Sequence, residues 1–530
     1  MAGTACQYHT SGSGAGEDLI GVIGVSATKN SHGWEAHLPD GVDPDRLDLL
    51  AAGSLPAAWR RLAEAGPERP ALWADRPGWV TRGTLDAASA RAAGRLRRAG
   101  LAAGDRVLVS AATSMDLVVA YLGALRMGLV VVPANTAYRE REVAHIVGDA
   151  RPRAAIVDHP ERGRWAGRAA EGELLVAGPE LDLPDGDPPP LDACGRDDPA
   201  LLCYTSGTTG APKGAVLAHG NLLASAEALR LAWRWTQDDR LVLALPLFHI
   251  HGLGVGLHGT LLAGASAVLL PRFEVDGVLD AARDHRATLF FGVPTMYARL
   301  ADAQRAGELE GLRLCVSGSA PLPPTVFDRL ADRAGQRVLE RYGMTETVMN
   351  VSNPYDGERR PGTVGLPLPG VELRLAGGDQ GEVLLRGPNV FGGYWGNPRA
   401  TAEAFDADGW FRTGDLGSFD ERGYLRIEGR SKELIITGGY NVHPREVEEL
   451  LLEHPEVAEA AVVGTPSEEW GEQVTAFVVP ADPAAPPDPD QLLAFAAERL
   501  AGFKRPRLLH YVDSLPRNAL GKIMKHQLRG

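Results

Sequence analysis

A chain of 530 residues, 44% hydrophobic and 23% charged, is long enough for two or three domains and has a globular composition. Its formal net charge of -14 argues against nucleic acid or an anionic membrane as partner, leaving room for a local basic site. Four scattered cysteines (Cys6, Cys194, Cys203, Cys315) form no CxxC pair, which predicts reduced thiols in a cytoplasmic protein and no zinc site.

The start, MAGTACQYHTSGSGAGEDL, lacks the basic head and apolar centre of a signal peptide, and its Ser/Gly content predicts a disordered lead over residues 1–45. From Leu47 onward, helical and strand-like patterns alternate. Thr84 is expected to cap a helix reading LDAASARAAGRLRRA, with Gly100 ending it. A strand RVLVSAA, an apolar helix MDLVVAYLGALRMG and a strand LVVVPAN follow. Further continuous apolar runs are AAIVDH, LLVAG, LVLALP, SAVLLP, TLFFGVP and RLCVSGSA. Such runs, alternating with helices, indicate parallel sheets covered on both faces, with ligands held at the carboxyl ends of the strands. The longest apolar stretches, 115–132 and 241–270, are interrupted by Asp116 and Arg126, and by Pro246, histidines and glycines, so they read as buried core rather than membrane spans.

After Gly365 the texture changes to short strands between Gly-rich turns (GVELRLAGG, GEVLLRG, GYLRIEG), an antiparallel pattern. A boundary falls near Arg430 to Lys432. Beyond it, Pro444 opens a helix carrying Val447, Leu450 and Leu451, followed by strands AAVVGTP and VTAFVVP, a linker ADPAAPPDPD, a helix and a basic end. The expected fold is α/β: a large domain of doubly wound sheets plus a β-subdomain over 46–430, and a small α+β domain over 431–530.

One loop carries chemistry by itself. CYTSGTTGAPKGAV (Cys203 to Val216) follows an apolar strand and combines glycines, hydroxyls and one lysine, the means by which backbone amides, Ser/Thr and an ammonium converge on phosphate. It is not a Walker A loop: Gly207 and Gly210 are too close together, Lys213 follows Pro212, and Gly214 stands where Ser or Thr belongs.

Thr205 to Gly214 resembles the signature of the acyl-adenylate-forming, AMP-binding superfamily that includes acyl-CoA synthetases. Five further segments resemble its other motifs in the same order: SGSAPL (317–322), RYGMTET (341–347), GWFRTGDLG (409–417), GRSKELIITGGYNVHPREVE (429–448) and PRNALGK (516–522). The resemblance implies that ATP phosphates are held by Thr205, Ser206, Gly207, Thr208, Thr209, Gly210 and Lys213. The rest of the nucleotide would meet Gly318, Ser319, Ala320 and Pro321, then Glu340, Arg341, Tyr342, Gly343 and Met344. Thr345 would touch the α-phosphate and Glu346 would help hold Mg²⁺, a hard cation suited to carboxylate. Asp415 would take the ribose hydroxyls and Arg430 would lie over the nucleotide. Lys522 would stabilise the charge that develops as a carboxylate attacks the α-phosphate. The small domain is implied to be mobile about a hinge at Lys432, replacing Lys522 with the loop Gly438-Gly439-Tyr440 when coenzyme A captures the acyl group.

For the acid, LPLFHIHGLGVG, PRFEVDG, FGVPTMYARL and LERYGMTETVMN closely resemble malonyl-CoA synthetases. That likeness implies Arg272 and the His249/His251 segment at the malonate end, with His249 gating the acyl carboxylate and Met349 walling the pocket. Arg272 follows a buried strand, and an arginine fork suits a second carboxylate in a desolvated pocket. The expected reaction is malonate, ATP and CoA to malonyl-CoA, AMP and pyrophosphate, with methylmalonate as a further substrate. Open alternatives are another small acid (acetate, propionate, an aryl acid), an adenylation enzyme loading a carrier protein, and a nucleotide-binding regulator without catalysis. The sequence leaves the oligomeric state open.

Overall fold

The computed structural model describes residues 33–205, 212–437, 440–467, 470–518 and 521–529, except the side chain of Lys432. Two sheets with parallel cores carry the large domain. In the first, six strands lie in the order Leu175–Ala177, Ala154–Val157, Arg106–Ser110, Val130–Pro133, Pro199–Thr205, Lys213–Ala218, parallel except for the last hairpin. The second has nine strands, with Leu339–Tyr342, Leu314–Ser317, Leu289–Gly292, Arg240–Leu243, Ser266–Leu269 and Pro70–Ala74 running parallel in its middle. Most strands that read as continuous apolar runs are buried on both faces, because helices cover both sides of a parallel sheet; the edge strand Leu175–Ala177 is an exception, with Val176 exposed.

The helices Arg82–Arg98 and Met115–Arg126 pack closely, since a Cβ on Gly123 would sit 2.7 Å from the Cβ of Ala92. The first helix starts earlier than its sequence suggested: Thr81, not Thr84, is the cap, and its hydroxyl accepts the amide of Thr84 at 3.2 Å. Gly100 does take up a left-handed conformation just past the end, with φ of 93°. Arg126 survives in an apolar helix because Asp192 accepts two hydrogen bonds from it, both at 3.0 Å, in a buried pair.

Four antiparallel strands (Glu372–Ala376, Gln380–Arg386, Phe411–Phe419, Leu425–Arg430) form the β-subdomain. The C-terminal portion builds its own sheet from Ile435–Thr437, Tyr440–Val442, Val457–Ser467 and Gly471–Pro480, with Leu508–Tyr511 added in parallel. The helix Pro444–Leu452 begins at the proline as expected, and Val447 and Leu451 join Val462, Val474 and Ala476 in a separate core. No described helix is long and apolar enough to cross a membrane.

The expected disorder to residue 45 does not hold from Gly33 on. His37 is fully buried and its ring bonds the Leu366 carbonyl at 3.2 Å, while Arg234 donates to the carbonyls of His37 and Leu38. Local composition could not show this, because the partners lie far along the chain. Residues 1–32 lie outside the described residues.

Candidate active site

The site lies where the nine-stranded sheet ends. Leu314–Ser317 and Leu339–Tyr342 are parallel neighbours, and their carboxyl ends deliver Gly318-Ser319 and Arg341-Tyr342 to one place. The guanidinium of Arg341 lies against Gly318, where a Cβ would collide with it. Ser319 has φ of 72°, a costly conformation for a non-glycine residue, and it turns the hydroxyl to within 3.2 Å of His251 Nδ1. Opposite, the run HGLGVGL forms a π-helix, His251–Leu257. Its glycines allow this: a Cβ at Gly252 would run into the Pro246 carbonyl, and one at Gly256 would sit 2.6 Å from Leu243.

Arg341 decides the character of this pocket. It is only 4% exposed, its Nε and Nη2 have no hydrogen-bond partner, and no carboxylate pairs with it among the described residues. Burial pulls its pKa down to about 9, so it stays protonated at neutral pH. Burial, then Arg341 and Lys522, lowers His249 to about 4, and burial and Arg341 hold His251 well below its ordinary value. Both imidazoles are therefore neutral, and the net field of the pocket is positive. An unpaired buried guanidinium costs several kcal/mol, a cost that an incoming carboxylate removes. Arg341 was expected on the nucleotide side; its guanidinium lies against Gly318, a residue of the same expected set, and in the field of the two histidines.

A second cluster gathers beside it. Asp415 accepts from the Tyr342 hydroxyl at 2.5 Å and from Arg430 Nε at 3.1 Å, and its own amide donates to Thr413 Oγ1. A carboxylate held between a phenol and a guanidinium can still accept from vicinal hydroxyls. Gly343 must be glycine, since a Cβ would run into the Val348 carbonyl; Met344 and Thr345 are half-buried beside it. Glu340 does not face outward: it is buried, one oxygen takes the Leu322 amide at 3.0 Å, and burial raises its pKa to about 7. It braces the Ala320-Pro321 turn from beneath.

Glu346 is buried, and burial raises its carboxyl above the ordinary range. Tyr394 donates to its Oε1 at 3.0 Å, and the Lys213 ammonium stands 5.3 Å from the centre of the same ring. One hard carboxylate fits a magnesium ion shared with phosphate oxygens, and no group of three metal-binding side chains exists among the described residues. Tyr394 was missed from sequence; its only signal was an aromatic in the Gly-rich turn FGGYW. Thr205 and Lys213 pair across the hairpin, while Ser206, Gly207, Thr208, Thr209 and Gly210 lie outside the described residues.

The C-terminal portion brings Lys522 to this centre. Its ammonium lies in the field of Arg430, Asp415 and Glu433, and burial and Arg430 lower its pKa. Gly521 abuts Thr295, where a Cβ would lie 2.9 Å from the hydroxyl, and the Lys522 amide donates to Asn518 Oδ1 at 2.9 Å.

Comparison with known proteins accounts for both halves. The AMP-binding enzyme family matches residues 59–395, and the AMP-binding enzyme C-terminal domain matches 446–522. The chain belongs to the AMP-binding enzyme family.

Within it the chain is an acyl-CoA ligase by relationship. It is 39% identical over 464 residues to feruloyl-CoA synthase of Amycolatopsis sp (85% of this chain, 93% of the relative). It is 36% identical over 472 residues to malonate–CoA ligase of Arabidopsis thaliana (80% and 78%). The crystal structure of ATP-bound MatB from Rhodopseudomonas palustris superposes with a TM-score of 0.85 at 40% identity, covering 90% of this chain and 98% of that one.

Of the other expected residues of this AMP-binding enzyme, Arg272 is not at the centre. Arg272 is a correction: its side chain is 80% exposed and pairs with Glu274 at 2.6 Å, so it does not enter the pocket. It caps a strand end, but the turn after Leu269 directs it to solvent. Met349 is buried and its sulfur would be 3.0 Å from a Cβ at Gly343. Tyr440 is exposed and stacks on Phe503 at 4.7 Å; Gly438 and Gly439 lie outside the described residues. The backbone of Lys432 sits in the 3₁₀ turn Ser431–Glu433, directly after the strand that carries Arg430.

Proposed function

We propose that this AMP-binding enzyme is a malonate–CoA ligase, which also accepts methylmalonate. Arg341, buried and without an ion-pair partner among the described residues, carries the reading, because a monoacid would leave that guanidinium without a counter-charge. One carboxylate of the diacid forks onto Arg341, with Ser319 and neutral His251 beside it. The other faces His249 and Lys522.

The first step joins a carboxylate oxygen to the α-phosphorus of ATP and breaks the bond to the β-phosphate oxygen, so pyrophosphate leaves. Charge accumulates on the phosphoryl oxygens, where the Lys522 ammonium stabilises it. Asp415 and Arg430 position the ribose and the α-phosphate. Glu346 with Thr345 and the Thr205–Lys213 loop hold the phosphates, and a magnesium ion at Glu346 would neutralise their charge when bound. In the second step the CoA thiol gives its proton to solvent, its thiolate sulfur attacks the acyl carbonyl carbon, and AMP leaves with the bonding pair. The small domain turns about Lys432 between the steps, withdrawing Lys522 and bringing in Gly438, Gly439 and Tyr440.

An aryl acid is the second reading, favoured by the 39% identity to a feruloyl-CoA synthase. A panel of malonate, methylmalonate, acetate, propionate and ferulate, assayed for AMP release with ATP, magnesium and CoA, separates the two. Malonate should be turned over best; ferulate exceeding it, or ADP as product, would refute the proposal.

A further inference from the structure

Segment Phe391–Trp395 joins the two halves of the phosphate side. Its backbone reaches Glu346 through the Phe391 amide, which donates to the Glu346 carbonyl at 2.8 Å. It reaches the hairpin through Val216, whose amide donates to the Gly393 carbonyl at 3.0 Å, and through Trp395, whose amide donates to the Gly214 carbonyl at 2.7 Å. Tyr394 sits at the crossing. Thr401 Oγ1 accepts its amide at 2.9 Å, and the Phe391 ring meets its ring edge-on at 4.9 Å. Its hydroxyl ends on Glu346 and its ring face on the Lys213 ammonium.

We infer that Tyr394 is a positioning residue with two separable actions: its hydroxyl aims the Glu346 carboxylate for a divalent cation, and its ring seats the Lys213 ammonium for the nucleotide phosphates. The inference rests on the reading of Glu346 and Lys213 given above. The phenol takes one lone pair of Oε1 and fixes the carboxylate plane, which leaves Oε2 and the remaining lone pair of Oε1 to an incoming cation. Partners that hold a metal-binding side chain in place are worth about 10-fold or more in metal affinity. The ring acts differently, since an aromatic face attracts an ammonium without removing its hydrogen-bonding capacity toward phosphate.

The two actions come apart in Tyr394→Phe and Tyr394→Leu. Tyr394→Phe keeps the ring: the magnesium concentration for half-maximal pyrophosphate exchange should rise about 10-fold, with KM for ATP at saturating magnesium close to wild type. Calorimetric titration of Mn²⁺ into the enzyme with ATP should weaken by a similar factor. Tyr394→Leu should add a several-fold rise in KM for ATP that magnesium does not rescue. Melting temperatures near wild type in both variants separate positioning from loss of fold. Wild-type magnesium and Mn²⁺ responses in Tyr394→Phe, or identical behaviour of the two variants, would overturn the inference. Glu346→Gln is the control: a shifted cation response there with none in Tyr394→Phe sinks this inference alone, whereas no shift in Glu346→Gln sinks the reading of Glu346 beneath it.

Discussion

Asp415 and Arg430 face each other as a register pair on neighbouring antiparallel strands, Oδ1 3.1 Å from Nε, with Tyr342 closing the other carboxylate oxygen at 2.5 Å. The pair ties the nucleotide side of the large domain to the last strand residue before the turn that leads into the small domain. Asp415→Asn keeps the shape but removes the charge that both partners use. KM for ATP in pyrophosphate exchange should rise about 10-fold, the scale of a hydrogen bond to a charged group, with little change in KM for the acid. An unchanged KM for ATP would remove Asp415 from the nucleotide site.

Arg341 and Arg272 make opposing predictions. Arg341→Met should lower kcat/KM for malonate at least about 30-fold, the lower range for breaking a buried charge pair, and improve propionate relative to malonate. Arg272→Met should leave malonate turnover near wild type, because its side chain is exposed and paired with Glu274. Steady-state assays of the two variants on both acids test this, and a malonate defect confined to Arg272→Met would reverse the assignment.

Lys522→Ala should abolish acid-dependent pyrophosphate exchange but spare thioester formation from supplied malonyl-adenylate. The wild-type exchange reaction should also lose rate on the alkaline side, beginning below the ordinary lysine value of 10.5, because burial and Arg430 lower the Lys522 pKa. Equal loss of both half-reactions in Lys522→Ala would contradict the two-position scheme.

Buried histidines make the fold acid-sensitive. Burial lowers His37 and His219 to about 4 and His258 to about 3, from 6.5. The native state thus favours the neutral rings, so their contribution is complete above pH 6.5 and is lost as pH falls toward 4. For His219 that is on the order of 3 kcal/mol. Both of its ring nitrogens lack hydrogen-bond partners among the described residues. His219→Leu should therefore flatten the fall of melting temperature between pH 7 and 5; an identical pH slope would show that His219 is not among the groups responsible.

What the sequence determined by itself was local. Apolar runs between helical stretches define parallel strands, because a strand covered on both faces needs no polar alternation, and those runs do form strands, whereas the parallel strands Pro70–Ala74 and Leu339–Tyr342 were not among them. The glycine-rich and charged motifs lie in short segments whose order carries the family resemblance, and that resemblance singled out Asp415, Arg430, Glu346 and Lys522 as candidates. Only the tertiary structure decided which side chains share a volume. Arg341 sits near the end of a buried strand and Arg272 just past the end of another, and the two look alike along the chain, yet a turn sends Arg272 to solvent while two adjacent strand ends enclose Arg341. Tyr394 and the 33–38 arm were illegible for the same reason: their partners are 48 residues away in one case and 329 in the other, and burial is a property of packing that no local window contains.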